Sequence, residues 1–273
     1  MSLGVALLAL AACGSSYRAV TATAQVGENL EQYRPQVSVL GESCQLEQVF
    51  EPAAKCPART EKYEKALEAL VAYARELEAA AGDTPLHTGD AVETALGRVD
   101  AAHWTALPAD TEPVIATFTH EVSVFLTRSA TRASVQKTIT AIGPSLDSVT
   151  DILTTHFTNE RANLQQLRCR LSCEIGSPKD SAECPELAPA VVAFECKAPD
   201  VTKAVLLFEL EARMQKQDIA LGRAATTMRA FRKAHAKLVQ NVDHLGSATL
   251  YDSILDEVRA VMASAGTAST VTH

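Results

Sequence analysis

The chain has 273 residues, 47% of them hydrophobic, and a formal net charge of −8. That is enough apolar chain for one large folded body, and a charge that disfavours phosphate-rich partners, nucleic acid above all. Aromatics are only 5% while alanine recurs in stretches such as YEKALEALVAYARELEAAAG (63–82), which suits long helices packed through small and aliphatic side chains and argues against sandwiches and sugar-stacking sites.

The first element is LGVALLALAA (3–12), an apolar run with the length of a signal-peptide core and too short for a membrane-spanning helix; no later stretch reaches the roughly 18 to 20 consecutive apolar residues a span needs. It ends in Leu10-Ala11-Ala12-Cys13, which resembles the lipobox of bacterial lipoproteins: a branched apolar residue, two small residues, then cysteine. Met1-Ser2-Leu3-Gly4 departs from the family's usual pattern in carrying no lysine or arginine. The resemblance implies a signal peptide over 1–12, cleavage before Cys13, acylation of Cys13, and anchoring of a short tether (13–18) to a membrane. One acyl chain binds only marginally, whereas the triacylated end of that family is a firm anchor. Gly14, standing where that family uses aspartate for retention at the inner membrane, implies the outer membrane. The resemblance covers the first 13 residues and says nothing about the fold behind them.

From residue 19 onward the apolar spacing alternates three and four, the period of helices with one buried stripe. Val26, Leu30, Tyr33, Val37, Leu40 and Cys44 mark the first segment, kinked or restarted at Pro35. Tyr63, Leu67, Leu70, Ala74, Leu77 and Ala81 mark the second, stopped by Gly82-Asp83-Thr84-Pro85; these two read as an antiparallel hairpin. A short helix runs from a capping box at Asp90 to Trp104. Trp104 itself reads as a core anchor. The next helix starts near Pro113 and carries Ile115, Phe118, Val122, Phe125, Ser129 and Ala133 to Ile142, where Gly143-Pro144-Ser145 is expected to break it. The stripe resumes with Leu146, Val149, Leu153, His156, Glu160, Leu164, Leu167 and Leu171. Residues 177–199 form a Pro- and Cys-rich connector. The longest stripe follows, from Leu207 through Met214, Leu221, Phe231 and His235 to Leu245, about 65 Å of helix. A last helix at 248–264 turns Leu250, Ile254, Val258 and Val261 inward, ahead of a disordered tail at 265–273. The expected fold is all-α: one domain over 19–264, an elongated antiparallel bundle of long helices with coiled-coil-like packing.

With Cys13 assigned to lipid, six cysteines remain: Cys44, Cys56, Cys169, Cys173, Cys184 and Cys196. An even number in an oxidising compartment points to disulfides, with fifteen possible connectivities. Cys44 and Cys56 flank a helix end and turn, and suit a local bridge. Cys169 and Cys173 share a helix face, so nested pairs Cys173–Cys184 and Cys169–Cys196 would tie the connector back onto the helix. Four thiolates for zinc are the alternative use of the last four.

Motifs for catalysis are missing from the sequence: there is no Glu-x-x-His, His-Glu-x-x-His, Walker loop, Gly-x-Gly-x-x-Gly or Gly-x-Ser-x-Gly. His156 and Glu160, four apart on one stripe, with His235 on the long helix, are the best candidates for a ligand or metal site between helices. Arg223, Arg229, Arg232, Lys233 and Lys237 form a basic run on the long helix, expected to be a solvated face paired with acids such as Glu64, Glu68, Glu76 and Glu78, or else a docking face for an acidic partner. The expected function is therefore a non-catalytic, membrane-tethered scaffold, adaptor or accessory subunit of the cell envelope with a protein partner there and no cofactor. The alternative is a periplasmic ligand- or metal-binding bundle.

Overall fold

A computed structural model describes residues 17–33, 60–81, 111–126, 132–174 and 201–268. These segments hold six α-helices: α1 (Arg18–Glu28), α2 (Thr60–Ala81), α3 (Thr111–Leu126), α4 (Arg132–Glu174), α5 (Val201–Gln240) and α6 (Ala248–Ala268). Short 3-10 turns follow α1 at Asn29–Tyr33 and α5 at Val242–His244. The described residues contain no strand. None of the described helices is long and apolar enough to cross a membrane.

Side-chain pairs fix how the long helices run. Gln136 bonds the carbonyl of Val242, Asp147 pairs with Arg232, Arg161 with Asp218 and Arg168 with Glu211. Partner numbers fall on one helix as they rise on the other, so α4 and α5 are antiparallel along about 48 Å. Between them lie Val135, Ile139, Ile142, Leu146, Val149, Leu153, Leu164, Met214, Leu221, Met228 and Leu238, all buried. The turn at 241–247 then reverses the chain, and α6 returns along α5, with Glu257 meeting Lys233 and Lys237. Leu250, Ile254 and Val261 are buried and Val258 packs against the core. α6 continues to Ala268, past the expected end at 264.

α1 packs against α2, α5 and α6. Enclosure by three helices explains why it buries small residues on most of its circumference: Ala19, Val20, Ala22, Thr23, Ala24 and Gly27. Gly27 is what lets the helices close. A Cβ there would stand 2.6 Å from Ala74 Cβ and 2.8 Å from Phe231 Cε2, well inside contact distance. Val26, Leu30 and Tyr33 lie on the expected stripe, Leu30 and Tyr33 fully inside. Val37, Leu40, Cys44, Cys56, the 90–104 helix with Trp104, and the 177–199 connector lie outside the described residues.

Two expectations about where helices break and end are corrected. Gly143-Pro144-Ser145 does not break a helix: α4 runs through it, with Pro144 inside. Proline leaves the carbonyl four residues earlier, that of Thr140, without its amide donor. Thr140 and Pro144 both face solvent, so water can satisfy that carbonyl and the ring lies on the exposed side of the helix. Ser145 Oγ lies within reach of the Ile142 carbonyl at 2.9 Å and bonds Glu121 of α3. Gly143 meanwhile faces α5, where a Cβ would be 3.2 Å from Val239 Cγ2. The two residues that read as a breaker therefore divide the work by face: glycine for close packing, proline on the wet side. Pro144→Ala should raise stability by about 1 to 3 kcal/mol, since it restores an interior helix bond at an exposed position. Equilibrium denaturation of the two proteins checks this.

The second correction concerns length. The stripe expected as one helix to Leu245 ends at Gln240, where the Asn241 side chain bonds the Lys237 carbonyl at 2.9 Å and the chain enters the 3-10 turn. Leu245 keeps its inward place beyond that turn.

Candidate functional site

Two regions were singled out by the sequence: the amino-terminal cysteine and the polar residues of the long helices. Cys13 lies outside the described residues. Description begins four positions later at Tyr17, whose carbonyl accepts the amides of Val20 at 2.9 Å and Thr21 at 3.1 Å and so starts α1. Tyr17 packs against the core. Only Gly14, Ser15 and Ser16 separate it from Cys13 in the sequence.

His235 is 1% exposed, and its Nε2 shares a 2.8 Å hydrogen bond with the Tyr73 hydroxyl of α2. Phe231 stands edge-on to it and Phe118 of α3 edge-on to Tyr73. Burial drives the His235 pKa down to about 4 and pushes the Tyr73 hydroxyl up. Both groups are neutral at physiological pH, and the pair is a satisfied polar contact at the centre of an aromatic cluster drawn from α2, α3 and α5.

His156 belongs to a different place. Its ring lies flat on Tyr63 of α2, centroids 3.5 Å apart and 11° from parallel. By the α4–α5 pairing, His235 sits beside Gly143, and a Cβ on that glycine would be 4.0 Å from His235 Cε1. His156 is therefore thirteen residues further along α4 than the level of His235, on the order of 20 Å away. The structure does not bring His156, Glu160 and His235 together. Glu160, one turn beyond His156, is half-buried and has interactions of its own. Among the described residues no three His, Cys, Asp or Glu side chains group as a metal site would.

The basic run of α5 is largely a solvated, paired face. Arg232 bonds Asp147 at 3.0 Å and Asp151 at 2.9 Å; Lys233 bonds Glu257 at 2.8 Å; Lys237 bonds Ser253 and lies 3.5 Å from Glu257. Arg229 reaches Thr226 on its own helix and Arg223 is exposed. The acids that meet Arg232, Lys233 and Lys237 thus come from α4 and α6, where the sequence reading placed glutamates of α2 opposite them. One of those glutamates, Glu78, instead faces α1: Gln25 donates to it at 3.3 Å, and it is hydrogen-bonded to Glu28. Burial, reinforced by the bond to Glu78 and its charge, raises the Glu28 pKa to about 7 against the opposing pull of Arg75. The contact between Glu28 and Glu78 is invisible to sequence spacing because the two are fifty positions apart.

Of the cysteines, Cys169 is buried on α4 and disulfide-bonded. The side chains of Cys44, Cys56, Cys173, Cys184 and Cys196 fall outside the described residues. A shallow open hollow lined by Gln136, Lys137, Thr140, Ala141 and Val242 lies where the start of α4 meets the turn after α5. It contains none of the residues selected from the sequence. Comparison with protein-family models, curated proteins and solved structures finds no match to this chain.

Proposed function

We propose that the chain is a lipid-anchored protein of the bacterial cell envelope that serves as a non-catalytic helical scaffold or adaptor. One observation carries the reading: the lipobox-like Leu10-Ala11-Ala12-Cys13 ends four positions ahead of Tyr17, which packs against the core. An acylated Cys13 would hold the body against its membrane with almost no slack. In this reading residues 1–12 are removed, the anchor is in the outer membrane, and an elongated antiparallel bundle stands in the periplasm. Cys44–Cys56, Cys173–Cys184 and Cys169–Cys196 staple it.

The adaptor role is supported by where the polar residues lie. His235 is tied up by Tyr73 inside an aromatic cluster, His156 is stacked against Tyr63 on another level, and the space between α4 and α5 is filled by leucine, isoleucine, valine and methionine. That arrangement favours a rigid body over the alternative of a ligand or metal held near His156, Glu160 and His235. Crosslinking in intact envelope, followed by capture of the full chain with Cys13 unaltered, is expected to bring down one envelope protein in stoichiometric amount. Recovery of the chain alone, with one metal ion or small molecule bound per chain, contradicts the adaptor reading and favours the alternative.

A further inference from the structure

α5 carries two apolar stripes. One faces α4: Leu210, Met214, Gln217 and Leu221, of which the last three are buried. The other lies on the opposite side of the helix at spacings of four, three and four: Phe208, Ala212, Gln215 and Ile219. All four are exposed, Phe208 at 57% and Ile219 at 42%. Phe208 and Ile219 are two of the three large hydrophobics most exposed among the described residues, and eleven residues on one helix return to the same face. In heptad terms Phe208 and Gln215 occupy d, Ala212 and Ile219 occupy a.

The charges beside this stripe are arranged by side. Glu211 and Asp218 fall at successive g positions, and Lys216 and Arg223 at successive e positions, preceded at e by the exposed Glu209. In a parallel, in-register pair of helices a g residue meets the e residue five places on in the partner. Glu211 then faces Lys216, and Asp218 faces Arg223, twice over by symmetry. In an antiparallel pair g meets g and e meets e, which sets Glu211 against Asp218 and leaves Glu209 against Lys216 as the one contact of opposite charge. Within one chain Asp218 bonds Arg161 at 2.7 Å and Glu211 lies 4.0 Å from Arg168. Both acids are held at the edge of the stripe with their side chains a quarter exposed, and Lys216 and Arg223 are exposed on the opposite edge.

We propose that the exposed face of α5 between Phe208 and Arg223 is a self-association surface, on which a second copy of this chain pairs in parallel and in register. Phe208 and Ile219 supply the apolar contact, Ala212 lets the helices approach, and Gln215 meets its own copy, a polar pair in a seam being a register device that costs some stability. The interface is two heptads long, so the dimer is a reversible one. It does not depend on the lipid anchor, although two chains rising from one membrane would present their α5 helices in this same parallel sense.

Sedimentation equilibrium of the full chain in density-matched detergent tests it. The wild type is expected to show a monomer–dimer equilibrium, weakened at least tenfold by Phe208→Ala with Ile219→Ala. Glu211→Lys should weaken it, and Glu211→Lys with Lys216→Glu should restore it, which only the parallel register explains. Phe208, Lys216 and Ile219 are exposed and Glu211 lies at the edge of the face, 4.0 Å from Arg168, so helicity by circular dichroism is measured for each variant and should be retained. A strictly monomeric wild type, a dimer indifferent to the two alanines, or failure of the double charge swap to restore pairing in a folded protein overturns the proposal.

Discussion

Phe231→Ala is expected to lower the stability of the folded chain by about 3 to 5 kcal/mol, the range for deleting a fully buried aromatic ring. Phe231 is 0% exposed. It is the point at which α5 meets both α1, at Gly27, and the Tyr73–His235 pair. Gly27→Ala should destabilise as well, by about 1 to 3 kcal/mol of overpacking, even though alanine is the better helix former by about 1 kcal/mol. The reason is that its Cβ would press on Ala74 Cβ, which has no rotamer to escape into. The two substitutions should be coupled. With the ring gone one of the two clashes disappears, so Gly27→Ala costs less in the Phe231→Ala background than alone, and a double-mutant cycle by urea denaturation measures the difference. Equal costs in both backgrounds would mean that α1 does not approach α5 as closely as described.

Stability should also respond to pH through two groups of opposite sign. For His235 the folded pKa of about 4 lies below the ordinary 6.5. Between those values the unfolded chain holds the extra proton, so its contribution is complete above pH 6.5 and falls as the solution is acidified toward pH 4. The full effect is about 3 kcal/mol, at about 1.4 kcal/mol for each tenfold change in proton affinity. For Glu28 the folded pKa of about 7 lies above the ordinary 4.5. Here the folded chain holds the extra proton, so stability is complete below pH 4.5 and falls as pH rises toward 7. Over pH 4.5 to 6.5 the two slopes oppose each other and the wild type should vary little. Glu28→Gln removes one of them. That variant is expected to lose about 2 to 3 kcal/mol between pH 6.5 and 4.5, whereas Tyr73→Phe with His235→Leu, which replaces both partners by apolar groups, should gain stability over the same interval. Parallel profiles for the wild type and Glu28→Gln, measured by denaturation at each pH, would show that the opposing titrations are not those of Glu28 and His235.

The helical fold of the described residues was legible in the sequence because its larger apolar residues keep one period for long distances: Leu67, Leu70, Ala74 and Leu77 on α2, or Leu221, Met228, Phe231, His235 and Leu238 on α5, lie inside as that period requires. What it hid follows from packing by small residues. Ala19, Ala24 and Gly27 lie outside the spacing of the larger apolar residues, yet they let α1 sit among three other helices. Pro144 was misread because local propensity speaks against a helix interior while the exposed side of α4 tolerates the ring. The candidate site failed for a related reason. His156 and His235 obey the same stripe, but period alone does not say that one lies on Tyr63 and the other beside Gly143. The acids opposite the basic run depend likewise on which helices become neighbours, and Glu257 lies on a helix that reverses back onto α5 through a tight turn.

The anchored-scaffold account rests on Cys13, and the mass of the amino-terminal peptide of protein purified from membranes tests it most directly. The account predicts a chain that begins at Cys13, with residues 1–12 absent and the cysteine carrying acyl chains through its sulfur and amino group. A membrane-derived chain that retains residues 1–12, or begins elsewhere with an unmodified Cys13, would contradict it.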